Sequence, residues 1–202
     1  MIFIKNPELG KVKTRLAKSI GHEKALNVYH LLLDHTLKIT SAIKIDKAVF
    51  YSDYINENDI WREGEFKKLL QKGEDLGEKM SNAFIDAFKM GYKRVVIIGS
   101  DCFELNEGIL NNAFKILEEN EVVIGPANDG GYYLLGLQKY HKQFFENKTW
   151  STETVLLETL HDLSNLNLSF KLLPALSDID EEKDLNNYPT ILNNENKCSK
   201  TF

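Results

Sequence analysis

The sequence is short of the features that mark secreted, disulfide-built or membrane-spanning proteins. Its 202 residues include only two cysteines, Cys102 and Cys198, which stand alone and form no CxxC. A reducing compartment is the natural reading of such usage. No apolar run approaches the roughly 18 residues of a membrane span. The opening MIFIK is too brief an apolar stretch for a signal peptide, so a cytoplasmic protein with no membrane span is expected. An excess of positive charge is missing too. The 25 Lys+Arg against 30 Asp+Glu give a net charge of −5, and a pI near 5.6 argues against nucleic acid as a partner. The five histidines (22, 30, 35, 141 and 161) show no HExxH or other zinc spacing.

What is present is ordinary for a soluble globular chain, with 43% hydrophobic and 27% charged residues. The length suggests one domain, over 1–189, whose core needs no covalent staples. A polar tail follows at 190–202. Short apolar runs alternate with longer helical patterns. Strands are expected at 1–5, 47–51, 66–70, 94–98, 121–125, 132–137 and 168–173. Helices are expected at 22–40, 76–90, 109–119, 141–146 and 152–163, with a short one from about Glu181. Gly91 is placed to close the helix before it. Arg94 to Ile98 is the most apolar run, and its β-branched character implies a strand covered on both faces. The rhythm implies an α/β protein of three layers, α/β/α, around a mainly parallel sheet.

Ligands in such sheets bind beyond the carboxyl ends of the strands, and several segments there have unusual composition. KNPELGKVKTRL (5–16) packs four cations and a glycine into a loop leading to a helix. That suits an anion such as a pyrophosphate, and it equally suits a solvated basic turn. It is neither GxGxxG nor GxxxxGK[ST], so the familiar dinucleotide and P-loop readings fail. Asp101, just past the apolar run, is placed either to hold a hard divalent cation through oxygen or to cap the following loop. Cys102 beside it reads as a small buried residue. Asn128-Asp129-Gly130-Gly131 is hairpin chemistry, yet it is richer in glycine than a hairpin needs and would let a ligand approach the backbone. The acidic run from Asp178 to Asp184 offers a second metal ligand, but Asp178 and Glu181 also match a capping box, the preferred reading on the residues alone. Trp150-Ser151-Thr152-Glu153 looks like a helix start capped by Ser151 or Thr152, with Trp150 available to line an acceptor pocket.

Together, KNPELGKVKTRL (5–16), GEDLGEKM (73–80), GSDCFEL (99–105), GPANDGGYYLLGL (125–137), WSTETVL (150–156) and DIDEEKDL (178–185) resemble a known family. It is the bacterial glycosyltransferase-like family of the nucleotide-diphospho-sugar transferase (GT-A) fold, some members of which are named arsenosugar biosynthesis or radical-SAM/selenodomain-associated transferases. The motifs run in order to about residue 188. The resemblance implies a Rossmann-like GT-A architecture and a nucleotide-phosphate loop over 5–16, with Lys13 and Arg15 as phosphate contacts and Lys5 as a further one. It implies Mg²⁺ or Mn²⁺ as cofactor, held by Asp101 with Asp180 as second ligand, which lifts Asp180 above the capping reading. It also implies a sugar or acceptor wall at Asp129-Gly130-Gly131. Phe103 departs from the family's Pro at that place. The chain also begins almost inside its first strand, where further residues of that strand are expected.

The expected function is metal-dependent transfer of a sugar from a nucleotide-sugar donor to a small-molecule acceptor. The metal and Lys13 and Arg15 would stabilise the departing diphosphate, and Asp129 would serve as base for the acceptor hydroxyl. One alternative is a guanylyltransferase-like nucleotidyltransferase that couples an NTP to a phosphorylated small molecule, although Asn6-Pro7 stands where such enzymes carry glycine and arginine. The other is a nucleotide-binding protein without catalysis.

Overall fold

The structure, a computed structural model, describes residues 1–188. The tail at 190–202, with Cys198, lies outside the described residues.

Seven strands form one sheet. They are β1 (Ile2–Ile4), β2 (Ala48–Tyr51), β3 (Lys67–Leu70), β4 (Val95–Ile98), β5 (Val122–Pro126), β6 (Tyr132–Leu137) and β7 (Phe170–Leu172). Their order across the sheet is β3-β2-β1-β4-β6-β5-β7. Only β6 runs against the rest, pairing antiparallel with both β4 and β5. The helices are α1 (Thr14–Ile20), α2 (His22–Ser41), α3 (Leu76–Lys89), α4 (Glu107–Glu119), α5 (Val155–Asn165) and α6 (Glu182–Leu185).

Period-2 alternation along the strands creates the layers. Ile2, Ile4, Val96 and Ile98 pack with Tyr29 and Leu33 of α2 and with Leu110, Ala113 and Leu117 of α4. Their neighbours Phe3, Val95 and Ile97 face the other way, onto Met80, Ala83 and Phe84 of α3 and Leu163 of α5. The central strands β1 and β4 therefore feed two cores, which is why Val95–Ile98 is buried at all four positions. A smaller cluster joins Leu16 and Ala17 of α1 to Ala25, Val28 and Leu32 of α2, and to Ile179 and Leu185 near α6. It pins the segment 179–185 against α1 and α2.

The GEDLGEKM motif is a helix start. Asp75 caps α3 by accepting from the Glu78 backbone N–H at 2.8 Å, and the Glu78 carboxylate accepts from the Glu74 N–H at 2.9 Å. The helix stops where expected, with Gly91 at φ 91°.

Four expectations are corrected. Helical backbone begins inside the cationic loop, at Thr14, and Gly21 (φ 86°) separates α1 from α2. The helix expected at 141–146 is a single 3₁₀ turn, Lys142–Phe144, whose Phe144 turns into the core and packs against Phe145. The helix α5 begins at Val155, three residues later than 152; neither Ser151 nor Thr152 caps it, because Thr154 holds the N-cap position. The Asp178–Glu181 capping box does not form. The Asp184 carboxylate instead accepts from the backbone N–H groups of Asp180 at 3.0 Å and Glu181 at 2.8 Å.

Candidate functional site

The carboxyl ends of β1 and β4, the β5–β6 turn and the segment before α6 converge at one edge of the sheet. The loop after β1 is held from two sides. The Tyr29 hydroxyl of α2 accepts from the Lys5 N–H at 2.9 Å and donates to the Lys5 carbonyl at 3.0 Å. The buried Asn6 amide donates to the Tyr54 carbonyl at 2.8 Å and accepts from the Asp53 N–H at 3.0 Å, tying this loop to the one after β2. Burial, followed by the charge of Asp101, pushes the Tyr29 hydroxyl up to about 12, so it stays neutral.

At the end of this clamped loop lies the centre of the site. Lys13 holds the N-cap position of α1 with φ 47° and ψ 43°, a left-handed conformation that costs a non-glycine residue roughly 1–2 kcal/mol. Its side chain is 3% exposed, and its Nζ lies 2.9 Å from Asp101 Oδ1 and 2.9 Å from Asp180 Oδ1. The two carboxylates are each 44% exposed. A buried ammonium thus sits behind two half-open acids that are 79 residues apart in sequence. Burial works against the charge on Lys13, but the charges of Asp101 and Asp180 and their hydrogen bonds outweigh it and raise its pKa. Burial likewise works against the Asp180 carboxylate, while Lys13, then Arg15 and Lys5, hold it below the usual range. Ile179, between the acids at 178 and 180, donates its N–H to the Asp101 carbonyl at 3.1 Å, which fixes the separation of the two segments.

The remaining cations of the loop have different surroundings. Lys11 is paired with Glu8 at 2.6 Å. Arg15 is 66% exposed and 3.9 Å from Asp180 Oδ2. Lys5 is exposed. Three of the loop's cations are thus exposed, and Lys5 and Arg15 are the two not held by Glu8.

Asp178 is an acid that the sequence reading did not single out as part of the site. Burial, then the charge of Asp101, pushes its carboxyl up to about 7, with Lys13 opposing and Asp129 and Asp180 adding to the rise. One signal for it was legible. Asp178 and Asp180 flank the fully buried Ile179, and an extended chain places positions i and i+2 on one face.

On the other side of the site, Asp129 is exposed and its Oδ1 accepts from the Gly131 N–H at 2.9 Å, a side-chain turn within the β5–β6 connection. Gly130 has φ 90°, and a Cβ there would lie 2.2 Å from the Glu153 carbonyl oxygen. The Gly130 carbonyl also accepts from the Leu156 N–H at 3.0 Å. In this structure Gly130 thus meets a neighbouring segment of the chain. Trp150, at the start of that segment, packs over Gly77 of α3, where a Cβ would meet the indole ring at 2.1 Å. Cys102 is buried, and burial first, then the Asp178 charge, pushes its thiol up to about 12. Phe103 lies beside a tilted His35 ring and meets Tyr188 edge to face, with ring centroids 4.6 Å and 5.4 Å away.

Two surface clefts lie outside the centre. One of about 500 Å³ is bordered by Arg15, Lys18, Glu181 and Lys183. The other, about 490 Å³, is bordered by Lys148, Glu158, His161 and Asp162. Neither is lined by Asp101, Asp180 or Asp129.

Among the described residues, no group of three or more His, Cys, Asp and Glu is assembled to hold a metal ion. Two half-open carboxylates focused on one cation are nonetheless a donor set that suits Mg²⁺ or Mn²⁺. Such ions keep several waters and take further oxygens from substrate phosphates.

Residues 35–152 match the family described as "Uncharacterized protein conserved in bacteria (DUF2064)". The chain belongs to this family. It is also similar, at 32% identity and a TM-score of 0.82, to the crystal structure of a "putative nucleotide-diphospho-sugar transferase" from Desulfovibrio desulfuricans G20, with 89% of this chain and 80% of that one covered. The inositol-1-phosphate CTP transferase from T. maritima shares 13% identity at a TM-score of 0.57, over 95% of this chain and 93% of that one. The manganese complex of Rv0371c from Mycobacterium tuberculosis H37Rv shares 10% identity at a TM-score of 0.54, over 92% and 95%. These last two likenesses are of fold alone. No curated protein matches the chain. The architecture is that of the nucleotide-diphospho-sugar transferases, as the resemblance of the motifs implies. No helix among the described residues is long and apolar enough to cross a membrane.

Proposed function

We propose that this chain is a Mg²⁺- or Mn²⁺-dependent transferase acting on a nucleotide-diphospho-sugar and a small-molecule acceptor that carries a hydroxyl. The observation that supports it most is the pair Asp101 and Asp180, half-open and focused on one cation position at the end of the central strand β4. These two residues would hold the metal, which when bound supplies Lewis acidity to the diphosphate oxygens. Lys5 and Arg15, the exposed cations of the clamped loop not held by Glu8, orient the diphosphate and neutralise charge as it departs. Asp129 stands on the turn across the site. With one carboxylate oxygen held by the Gly131 N–H, it keeps the other available to take the acceptor's proton. Gly130 and Gly131 form the wall beside it. The resemblance of the whole motif set to the glycosyltransferase-like members, and the likeness to the Desulfovibrio protein, favour the sugar as the transferred group.

The test is a thermal-shift series with UDP-, GDP-, CDP- and dTDP-sugars and the four NTPs, with and without Mn²⁺, followed by product analysis. A ligand at a hundredfold excess over its Kd stabilises the folded state by about 2.7 kcal/mol. The expected result is a Mn²⁺-dependent rise with one diphospho-sugar, lost in Asp101→Ala, and release of a nucleoside diphosphate. Release of pyrophosphate from an NTP would replace this reading with nucleotidyl transfer. No shift with any of them would favour a chain without donor chemistry.

A further inference from the structure

We propose that Lys13 is a tethered cation that keeps the Asp101–Asp180 pair closed to a divalent ion until the phosphates of an incoming nucleotide draw its ammonium away. The inference rests on the metal-dependent reading above and adds an order to it: metal and nucleotide enter together, each raising the affinity for the other.

Three observations carry it. The first is position. The Lys13 ammonium lies 2.9 Å from one oxygen of each acid, on the face the two carboxylates share. A Mg²⁺ ion held by those same two oxygens, at about 2.0–2.1 Å, would compete with the ammonium for them. The second is charge. With Lys13 in place the cluster of one ammonium and two carboxylates carries −1, and without it −2. The exposed cations Arg15, 3.9 Å from Asp180, and Lys5 stand at the same mouth. A diphosphate drawn there offers Lys13 a replacement partner at the moment its carboxylates are needed. The third is backbone. Lys13 carries its buried ammonium on a left-handed backbone, φ 47°, which glycine would adopt without strain. The strain is borne at the residue whose ammonium meets both acids.

Reciprocity follows from linkage: whatever factor the nucleotide contributes to metal affinity, the metal returns to nucleotide affinity. If Lys13 is withdrawn from the acids in about a tenth of molecules or fewer, metal affinity without nucleotide is reduced about tenfold or more.

The experiment titrates Mn²⁺ by the electron paramagnetic resonance of the free ion, with no nucleotide present, into wild type, Lys13→Gln, and Lys13→Gln combined with Asp101→Asn. The expected result is Mn²⁺ binding about tenfold or more tighter in Lys13→Gln than in wild type, with the gain lost in the double variant. Lys13→Gln binding Mn²⁺ no more tightly than wild type would overturn the tethered-cation role while leaving the metal reading intact. No Mn²⁺ binding by either protein, even with UDP, GDP, CDP or dTDP added, would overturn the metal reading and this inference together. A second measurement needs no variant: the ¹⁵N resonance of the Lys13 ammonium in wild type. It is expected to persist with Mg²⁺ alone and to shift when Mg²⁺ and the nucleoside diphosphate that binds are both present. An ammonium signal unchanged by both ligands, though they are bound, sinks the proposal even where Lys13→Gln does not fold.

Discussion

Two turns border the site, and both need a residue with positive φ. In the β5–β6 turn the residue is Gly130, φ 90°, and the backbone of Glu153 fills the place of its missing Cβ. In the loop before α1 the residue is Lys13, φ 47°, buried and paired with two acids. Glycine takes such a conformation freely, whereas lysine takes it only against steric cost. The first turn solves a packing problem, since a strand connection must lie against the segment that precedes α5. The second accepts strain in exchange for a charge at one point. Left-handed backbone alone thus says little about function, and the side chain carried there says more.

Gly130→Ala should break the first turn outright. The new methyl would overlap the Glu153 backbone, and we expect a stability loss of about 3 kcal/mol or more in urea unfolding. The second turn separates charge from strain. Lys13→Ala should cost about 2 kcal/mol at pH 8, because it leaves Asp101 and Asp180 facing each other, half-open to water, without their counter-ion. Lys13→Gly should cost about 1 kcal/mol less, because it loses the charge but also relieves the backbone. Equal losses in the two variants would remove strain from the account. The pH dependence of either loss has a fixed sign. Asp180 is depressed in the folded protein, so its pairing stabilises above its unfolded value, near pH 4, and fades as pH falls through the folded one. The penalty of both variants should therefore shrink in acid.

Asp178 feels both turns, since beyond the rise from burial and Asp101 the charge of Lys13 lowers it and that of Asp129 raises it. Its sign is opposite. The unfolded chain releases this proton near pH 4 and the folded protein holds it up to about 7. Asp178 thus lowers stability progressively as pH rises through that interval. Asp178→Asn in the metal-free protein should be about 1 kcal/mol more stable than wild type at pH 8, the difference vanishing towards pH 4. Thermal unfolding across that pH range checks it, and a flat difference would dissociate Asp178 from the cluster. The smallest effect is expected at Asp129→Asn. The amide oxygen can still accept from the Gly131 N–H, so stability should stay within about 0.5 kcal/mol. Product formation with the donor identified by thermal shift should fall at least about a hundredfold, and an unchanged rate would remove Asp129 as the base.

Much of this was legible in order along the chain. The helices α2, α3 and α4 announce themselves through 3.6-residue periodicity, whereas the caps Asp75 and Asn106, which set where α3 and α4 begin, come from the structure. The helix expected over 141–146 shrinks to one turn, because Phe144 and Phe145 are both drawn into the core there. The acidic run before α6 departs from expectation too. Asp178, Glu181 and Asp184 share the spacing that a capping box needs, and only the path of the chain decides that the box joins Glu181 to Asp184 while Asp178 turns inward. Lys13, Asp101 and Asp180 were each visible as candidates, and the resemblance put them at one site, but the direct contact of Lys13 with both acids was not legible. Lys13 was read as a phosphate contact, whereas in this structure its ammonium faces two carboxylates.

The sequence by itself determined the layers, since alternation along Ile2–Ile4 and Val95–Ile98 commits each strand to two buried faces, and burial of apolar area decides that pattern locally. It also determined which segments end strands and so which residues can reach the site's edge. The tertiary structure alone decided the electrostatics. The pKa of Asp178, the burial of Lys13 and the half-open faces of Asp101 and Asp180 depend on distances between segments far apart in the chain. Coulomb energy and desolvation are set by those distances and by the water around them, and neither is written in the order of the residues.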